Sequence, residues 1–561
     1  MAALKVRRIL DGMAWPLVIR RLVGGDMSDA LNRRCESDTA MVSSGKFEAT
    51  KIGVEILKKG GNAIDAAVAV GFAMGVAEPA TSGLGGGGFM TIKTSENEKP
   101  LFLDFREFAP ENAYPGMWSL DANGKIIDKE NAIGAKSVSV PGEVAGLIYA
   151  LENYGSLPLE TILEPSIKLA EDGIVVSNMM EKMLKQYTPY LSKCEHATKI
   201  YLNNNKAYKA GDLLKNVDLA CTLKAIVEDG KNAFYSGAVG HAIIETVDEK
   251  GGLLTHKDLS EYQVEEKEPV VGTYRGYTII SSPPPSSGGT HIIQTLNILE
   301  QFDVSSMDVN STEYVHLFSE ALKLAYEDRA KFMADTDFID VPLKGLRSKR
   351  YSENLANRIE IDKARKPECF DPWTYEHDDT THYSIGDKNG NLVSVTKTIN
   401  HFFGACMVAK GTGVLLNDTM ADFSTNKFDV NAVDRRKKPL STMSPTVVLK
   451  DGKPFAIIGS PGGVRIISVV VQIISKLIDH DMDIQDAIDS PRVTQNATNN
   501  LQYESRIPHK VIKELEKMGH DMVPCLSYDK KMGGVNAIVY NSNGSIVGGA
   551  DPRRDGISLG L

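Results

Sequence analysis

The sequence predicts a mixed α/β protein built from stacked layers of sheet and helix. The chain is long enough for a large core, with 561 residues, 42% of them hydrophobic and 24% charged, which is ordinary globular composition. Short runs of β-favouring residues with tight turns occur in groups, above all after residue 380, and helical patterns also occur in groups. Because grouped strands and helices bury their apolar faces against one another, we expect the sheets and helices to stack as separate layers.

Composition excludes several functional classes. The 63 Lys and Arg against 73 Asp and Glu give a net charge of −10 with the signs mixed, so nucleic acid is not an expected partner. The six cysteines are scattered without a C-x-x-C pair, so we expect no metal site and no cofactor. Their number and spacing do not decide between a reducing and an oxidising compartment. The longest apolar stretch, Ala63–Ala77, contains Asp65 and is shorter than the ~20 residues of a membrane span.

Residues 1–40 read as a basic leader that is poorly ordered. Its apolar stretch, residues 13–19, ends at Arg20 and has no evident cleavage site, and Arg7-Arg8 is a weak twin-arginine signal. The leader therefore does not support export.

The first folded elements are predicted to be helices at 46–59 and Ala63–Ala77, the second capped by Asn62. Gly83, Gly85 and Gly88 formally match G-x-G-x-x-G. A helix precedes this run and a strand at 89–93 follows it, which is the opposite of the order in a dinucleotide site. We therefore reject that interpretation.

The middle of the chain contains one candidate site residue, Arg106. A strand at 101–105 ends at Arg106, which could also be an ordinary solvated arginine. Helices follow at 141–177 and across 180–265. A strand at 271–280 leads into a Ser-Pro-Gly loop at 281–289, which either holds an anion at the start of the helix 290–301 or simply connects. Another helix is predicted at 312–333.

The C-terminal third is predicted to be rich in hairpins. Residues 380–386 and 391–399 flank an Asn-Gly turn, 446–450 pairs with 455–459, and 538–547 folds back through a second Asn-Gly turn. A further strand is predicted at 413–416. The helix 464–478 is dense in β-branched residues, so we expect it to be buried.

The junction at Asp379-Thr380 resembles a cut site. A loop carrying Pro367, Pro372 and several acids runs abruptly into β-favouring residues. Cleavage before Thr380 would place a hydroxyl nucleophile and an α-amine, with a reference pKa of ~7.7–8.0, on one residue. An uncut hairpin with a loop before it is the simpler interpretation of the local pattern.

Two other features could serve a nucleophile at this junction. Thr398 lies on the second strand of the same hairpin and can face the first strand, although it could be an ordinary strand threonine. The turn Gly459-Ser460-Pro461-Gly462-Gly463 could present backbone N–H groups to an oxyanion. It lacks the Lys-Ser/Thr of a phosphate-binding loop.

Taken together, these motifs resemble the γ-glutamyltranspeptidase (glutathione hydrolase) family of N-terminal-nucleophile hydrolases. The matching strings occur in family order from about residue 40 to the C-terminus. They are Gly60-Gly61-Asn62-Ala63-Ile64-Asp65-Ala66-Ala67, Gly83-Leu84-Gly85-Gly86-Gly87-Gly88-Phe89, Phe105-Arg106-Glu107, Val140-Pro141-Gly142-Glu143, Pro283-Pro284-Pro285-Ser286-Ser287-Gly288-Gly289, Thr380-Thr381-His382-Tyr383-Ser384, Met443-Ser444-Pro445-Thr446 and Gly459-Ser460-Pro461-Gly462-Gly463.

The resemblance implies a four-layer αββα sandwich made by two products of one precursor, a large chain 41–379 and a small catalytic chain 380–561, which form a heterodimer. It also implies site roles. Thr380 is the nucleophile, Thr398 its hydroxyl partner, Gly462 and Gly463 the oxyanion hole, Arg106, Ser441 and Thr442 the α-carboxylate site, and Asn400 and Asp422 the α-ammonium site of the γ-glutamyl group.

Three departures from the family pattern matter. Thr419 stands where the family often has Gln or Glu, so a contact to the α-amino group is expected to be weakened. Thr442 replaces a common serine. Residues 424–440 are shorter than a lid loop, so we expect an open pocket for larger acceptors. The run 435–438, Arg-Arg-Lys-Lys, is either a solvated loop or a rim for anionic substrates.

The implied activity is γ-glutamyl hydrolysis and transfer, with glutathione-like donors and water, amino acids or peptides as acceptors. An acylase or oxamate-type amidohydrolase of the same fold is the alternative that Thr419 keeps open. A non-catalytic binding paralogue is a third, and Thr380, Thr398 and Arg106 argue against it. The family is usually periplasmic or secreted whereas the leader suggests the cytoplasm, so the compartment stays open.

Overall fold

The structure is a computed structural model and describes residues 33–97, 99–122, 124–366, 380–496 and 498–561. Its β-strands are β1 (Cys35–Ser37), β2 (Ala40–Ser44), β3 (Gly87–Lys93), β4 (Leu101–Phe105), β5 (Ile174–Val175), β6 (Leu202–Asn203), β7 (Lys206–Ala207), β8 (Leu213–Leu214), β9 (Glu265–Lys267), β10 (Val270–Tyr274), β11 (Tyr277–Ser281), β12 (Thr381–Asp387), β13 (Leu392–Thr398), β14 (Thr446–Lys450), β15 (Lys453–Ile458), β16 (Val493–Thr494), β17 (Asn500–Glu504), β18 (Asp521–Cys525), β19 (Asn536–Tyr540), β20 (Ile546–Ala550) and β21 (Ile557–Gly560).

Its α-helices are α1 (Phe47–Lys58), α2 (Ala63–Ala77), α3 (Glu143–Tyr154), α4 (Leu159–Asp172), α5 (Asn178–Leu191), α6 (Glu195–Tyr201), α7 (Val217–Asp229), α8 (Lys231–Tyr235), α9 (Ala238–Asp248), α10 (His256–Ser260), α11 (Gly288–Leu299), α12 (Thr312–Phe332), α13 (Leu343–Leu346), α14 (Lys349–Ala356), α15 (Arg465–Ile478), α16 (Ile484–Asp489) and α17 (His509–Met518). None of the helices in the described part of the chain combines the length and apolar character that a bilayer crossing needs.

Two antiparallel seven-stranded sheets form the centre of the molecule. One has the strand order β1-β20-β19-β15-β14-β11-β10 and the other β21-β2-β12-β13-β3-β4-β9. A small apolar cluster that includes Met41, Ile457 and Ile538 joins the facing surfaces of the two sheets. Strands from residues 33–366 and from residues 380–561 occur in both sheets, so each part of the chain needs the other to complete its core.

Helices cover the outer face of each sheet. Helices α1, α2 and α3 share one apolar core with the sheet that contains β12, and α11, α12 and α15 share another with the sheet that contains β15. Helix α2 is buried along its whole length and begins with a capping box between Asn62 and Asp65. The result is the four-layer αββα sandwich that the family resemblance implied, and the alternation of strand and helix groups is confirmed.

Three local expectations were wrong. The single strand predicted at 271–280 is a hairpin, because Arg275 and Gly276 turn the chain with φ of 50° and 84°. Residues 413–416 make only isolated bridges, since Gly413 has a φ of 70°. The folded part begins before residue 41, because β1 pairs with β20 and the buried Arg33 donates to the carbonyl of Gly556 at 2.6 Å. Residues 1–32 lie outside the described residues.

Candidate active site

Thr380 lies immediately before β12, is 4% exposed, and accepts a hydrogen bond on its carbonyl from Nη1 of Arg554 at 3.2 Å. Strands β12 and β13 pair Thr381 with Lys397, so Thr398 stands across from position 380. The Oγ of Thr398 also accepts from the N–H of Asn400 at 2.8 Å. The two hydroxyl residues are therefore both buried at the same end of the central hairpin. Asp379 lies outside the described residues.

The predicted glycine turn joins β15 to α15 close to this end of the hairpin. Gly459 packs so tightly on β12 that a Cβ there would lie 2.2 Å from the ring of His382. Gly462 and Gly463 have φ of 137° and 54°, and their carbonyls accept from the first N–H groups of α15 at 3.0 and 3.1 Å. Among the described residues, neither glycine donates its own N–H to a backbone carbonyl. The N–H groups of Gly462 and Gly463 are therefore the two backbone donors that this turn can offer to an oxyanion.

Arg106 is buried, 1% exposed, at the end of β4. Its Nη2 donates to Asp422 at 2.5 Å and its Nη1 to Glu107 at 3.3 Å. Its Nε is buried without a hydrogen-bond partner among the described residues. A buried guanidinium with an unused donor can pair with a further carboxylate, which suits the role that the resemblance implied.

Asp104, together with two lysines on neighbouring segments, holds the backbone of Arg106 in place. Asp104 accepts from the N–H of Arg106 at 2.9 Å, and from the ammonium groups of Lys267 and Lys438 at 2.7 and 2.8 Å. These cations lower the pKa of Asp104 against the effect of its burial. The run 435–438 was expected to be a solvated loop or a rim for anionic substrates. Lys438 is instead anchored on Asp104, and Lys437 is also buried, with its ammonium on carbonyls of residues 430 and 432.

Thr419 contacts the acid that follows Arg106. Its side chain is fully buried, and its Oγ donates to Oε1 of Glu107 at 2.9 Å. Burial raises the pKa of Glu107, and the adjacent guanidinium of Arg106 opposes that rise. The hydroxyl of Thr419 thus stabilises the residue beside the arginine.

Asn400 has a φ of 75° and sits between the hairpin and the short turn that contains Thr419 and Asp422. Its Nδ2 donates to the carbonyl of Asp418 at 3.2 Å. With its amide nitrogen engaged in this way, Oδ1 is the atom that can accept from an ammonium group.

The Ser-Pro-Gly loop at 281–289 forms a cradle for Ser441 and Thr442. The N–H and Oγ of Ser287 both donate to the carbonyl of Ser441 at 2.8 Å, and Thr442 donates to the carbonyl of Gly463 at 2.8 Å. The hydroxyls of Ser282 and Ser286 both donate to the carbonyl of Met443, at 2.8 and 2.7 Å. These bonds favour a positioning role for the loop over the anion-binding alternative.

A buried ion pair behind the hairpin was missed in the sequence. Lys397, fully buried, donates to Glu143 at 2.5 Å and to the carbonyl of Gly71 at 2.6 Å. Burial raises the pKa of Glu143 to about 7 and lowers that of Lys397. The sequence does contain a signal for this pair. Side chains alternate between the two faces of a strand, and Lys397 falls on the same face of β13 as Val393 and Val395.

One cluster of the described residues has metal-ligand chemistry: His316, Glu320 and His520, whose ligand atoms lie within 4.8 Å of one another. Protein groups occupy most of its polar atoms, and Nδ1 of His520 is buried without a hydrogen-bond partner among the described residues. The two imidazoles are hydrogen-bonded to each other at 2.8 Å, and Glu320 accepts from the ammonium of Lys323 at 2.8 Å. A cation beside the carboxylate and a hydrogen bond between the rings favour a structural polar cluster.

An αββα sandwich with a buried threonine at the start of its central hairpin and a glycine turn beside it defines an N-terminal-nucleophile hydrolase. The model of the gamma-glutamyltranspeptidase family matches residues 49–561, and the chain belongs to that family. It is therefore an enzyme, and its relatives are made as proenzymes.

Individual relatives cover nearly the whole chain. A protein from Escherichia coli K12 named glutathione hydrolase proenzyme is 40% identical over 91% of this chain and 90% of its own length. The acylase ACY 1 proenzyme of Pseudomonas sp. SE83 is 38% identical over 94% of this chain and 95% of its own. The crystal structure of cephalosporin acylase from Bacillus halodurans superposes with a TM-score of 0.86 at 26% identity, covering 96% of this chain and 98% of that one.

Proposed function

We propose that this protein is an autoprocessing γ-glutamyl hydrolase and transpeptidase whose nucleophile is Thr380 and whose donors are glutathione and related γ-glutamyl amides. The observation that carries the proposal is the ion pair of Arg106 and Asp422, a buried cation and a partly buried anion 2.5 Å apart. An α-amino acid end carries the complementary pair of charges. The name of the Escherichia coli relative supports the same substrate class.

Maturation divides the precursor between Asp379 and Thr380 into a large chain that ends at Asp379 and a small chain, 380–561. The Thr380 hydroxyl attacks the carbonyl of residue 379, the peptide C–N bond breaks to leave an ester and a free α-amine, and water hydrolyses the ester. Because both parts of the chain contribute strands to both central sheets, the two products stay together as a heterodimer.

The matured residue then repeats the chemistry on substrate. Its α-amine accepts the hydroxyl proton as Oγ attacks the γ-carbonyl, and the N–H groups of Gly462 and Gly463 stabilise the oxyanion. Collapse of this intermediate releases the amine, which takes the proton, and leaves a γ-glutamyl ester. Water or the amine of an amino acid or peptide then attacks the ester. Thr398 holds the Thr380 hydroxyl by a hydrogen bond.

Two adjacent groups of residues bind the two charged groups of the donor. Arg106, Ser441 and Thr442 receive the α-carboxylate, and Asp422 and Oδ1 of Asn400 receive the α-ammonium. The planar guanidinium fork suits a carboxylate because it can form two parallel hydrogen bonds.

The test compares wild-type protein with T380A and T380S on γ-glutamyl-p-nitroanilide, with and without a dipeptide acceptor. Wild type should release nitroaniline faster with the acceptor, T380S should retain part of the rate, and T380A should remain one chain and be inactive. Activity of T380A equal to wild type would refute the nucleophile assignment.

An acylase of α-amino-free donors is a second candidate, and the residue type at position 419 favours it. Thr419 stands where the family often has the longer Gln or Glu, and its hydroxyl donates a hydrogen bond to Glu107 at 2.9 Å. A weaker contact with the α-ammonium follows, so a glutaryl amide would lose less by lacking that group. Hydrolysis of glutaryl-p-nitroanilide at a higher kcat/KM than γ-glutamyl-p-nitroanilide would favour this candidate over the first.

A further inference from the structure

One peptide plane of the glycine turn is not fixed by the conformational preferences of its own residues. This plane joins the carbonyl of Pro461 to the N–H of Gly462, and ψ of Pro461 together with φ of Gly462 sets its orientation. The proline ring fixes φ of residue 461 but not ψ. Gly462 has a φ of 137°, in a region that glycine enters without steric penalty. A further contact must therefore decide where the N–H of Gly462 points.

The hydroxyl of Ser460 makes that contact. Its Oγ donates to the carbonyl of Pro461 at 2.7 Å and accepts from the N–H of Gly534 at 3.0 Å. Ser460 is fully buried, so water does not compete for these bonds. A Cβ on Gly533 would lie 2.7 Å from the same Oγ, so the loop at 533–534 approaches the hydroxyl closely because glycine stands there. The loop thus holds the hydroxyl, and the hydroxyl holds the carbonyl of Pro461.

Holding this carbonyl also orients the N–H of Gly462. The C=O and N–H of a trans peptide lie in one plane and point in opposite directions. No backbone N–H of the described residues outside the regular helices and strands donates to the carbonyl of Pro461. The next plane differs, because the carbonyl of Gly462 accepts from the N–H of Arg465 at 3.0 Å and this backbone bond orients the N–H of Gly463. Ser460 therefore orients one of the two donors, and the start of α15 orients the other.

We propose that Ser460 is a positioning residue, whose hydroxyl aims the N–H of Gly462 at the oxyanion that forms when Thr380 attacks the donor. The inference rests on the proposed function, because it concerns the same oxyanion. A hydrogen bond weakens steeply as its angle departs from linearity, so a misaligned N–H stabilises the transition state less. Since this donor acts on the transition state and not on the bound substrate, the loss falls on kcat and not on KM.

The first experiment measures kcat and KM of the processed heterodimer on γ-glutamyl-p-nitroanilide. S460A should lower kcat about tenfold to a hundredfold, which is less than complete loss of a donor, and change KM less than about threefold. S460T keeps a hydroxyl and should retain more of the rate than S460A. S460C fills the space with a weak donor, so it should share the loss of S460A and takes its place if the cavity prevents folding.

The second experiment separates alignment of the oxyanion donor from a general loss of structure. The probe is the boronic acid analogue of glutamate, in which boron replaces the γ-carbon of the acyl group. Oγ of Thr380 bonds to boron as its proton passes to the α-amine, and the tetrahedral adduct places an oxygen where the oxyanion forms. S460A should weaken binding of this analogue by the same factor as kcat and leave the Kd of glutamate unchanged.

S43A is the matched control. Ser43 is fully buried in β2, and its Oγ donates to the carbonyl of Gly549 at 3.0 Å. The variant therefore removes a comparable hydrogen bond to a backbone carbonyl without touching the glycine turn. It should leave kcat and the affinity for the boronic acid unchanged.

The outcomes separate this inference from the proposed function. An unchanged kcat in S460A and S460C, equal weakening of boronic acid and glutamate binding, or an equal loss of kcat in S43A would overturn the role of Ser460. A wild-type enzyme that hydrolyses neither γ-glutamyl-p-nitroanilide nor glutaryl-p-nitroanilide would instead refute the proposed function, whatever the variants do.

Discussion

The guanidinium of Arg106 donates to the carboxylate of Asp422 at 2.5 Å, although the two residues are 316 positions apart in sequence. In the proposed processed enzyme they belong to different chains. The pair therefore assembles only when β4 and the turn at Thr419–Asp422 meet across the heterodimer. The guanidinium of Arg106 and the carboxylate of Asp422 are in position before substrate arrives, so binding requires little rearrangement of the protein.

Replacing Arg106 by lysine keeps the charge but removes the planar fork. We expect the KM of R106K for γ-glutamyl-p-nitroanilide to rise about tenfold or more, with a smaller change in kcat, because the lost contacts bind the donor and do not touch the reacting carbonyl. Steady-state kinetics measure both KM and kcat. R350K, on the exposed side of α14, is the control, and an unchanged KM in R106K would refute the carboxylate assignment.

Replacing Gly462 by alanine should lower kcat. The residue has a φ of 137°, which alanine adopts only with strain, so the turn and its N–H should shift. Loss of one oxyanion donor typically costs ~2.7–4 kcal/mol of barrier, about a hundredfold to a thousandfold in rate.

The matched control is G276A in the turn between β10 and β11. Gly276 has a φ of 84° and a Cβ there would meet nothing within 4 Å, so this variant carries similar backbone strain far from the turn at Gly462. Equal losses of kcat in G462A and G276A would show that strain alone, and not the oxyanion donor, accounts for the effect.

Replacing Thr419 by valine tests where its hydroxyl acts. The structure directs that hydroxyl to Glu107, so T419V should lose about 1–3 kcal/mol of unfolding free energy from the unpaired buried acceptor. Its kcat/KM on γ-glutamyl-p-nitroanilide should change less than about threefold, since no bond to the donor is removed. T273V, at an exposed position of β10, controls for the substitution itself. A stable T419V with a large loss of kcat/KM would place the hydroxyl on the substrate.

Replacing Lys397 by methionine tests the ion pair behind the hairpin. Removing one partner leaves Glu143 buried and unpaired, which should cost about 3–5 kcal/mol of unfolding free energy. Denaturant unfolding of K397M should show this loss, whereas K517M, which breaks the exposed pair of Lys517 with Glu514, should change little. Equal stabilities of the two variants would contradict the role given to the buried pair.

Local patterns in the sequence predicted most of the scaffold. The capped helix α2, the hairpin of β12 and β13 and the buried helix α15 all follow from periodicity, caps and an Asn-Gly turn, which act over a few residues. Two of the failures were positions of positive φ, as at Arg275, where no Asn-Gly or Pro-Gly pair marks the turn. The third was β1, whose pairing with β20 joins residues about 510 positions apart.

The site was less accessible to sequence reasoning because its contacts span long separations. A motif string contains Arg106 and the family resemblance implied Asp422, but nothing local indicates that Glu107 accepts from Thr419 or that Lys438 anchors Asp104. Long-range partners of buried charges follow from the packing of the two sheets. Glu107 directly follows Arg106 in the chain, and this adjacency to the motif arginine is the signal that could have pointed to it.

Thr380 is proposed to become an N-terminus and to act as the nucleophile. Intact mass spectrometry of the purified, incubated protein, with N-terminal sequencing of the smaller species, tests this proposal. We expect two chains in equal amount, the smaller one beginning at Thr380 with the sequence Thr-Thr-His-Tyr and extending to Leu561. A single uncut chain that is nevertheless active on γ-glutamyl-p-nitroanilide, or a smaller chain that begins at another residue, would contradict it.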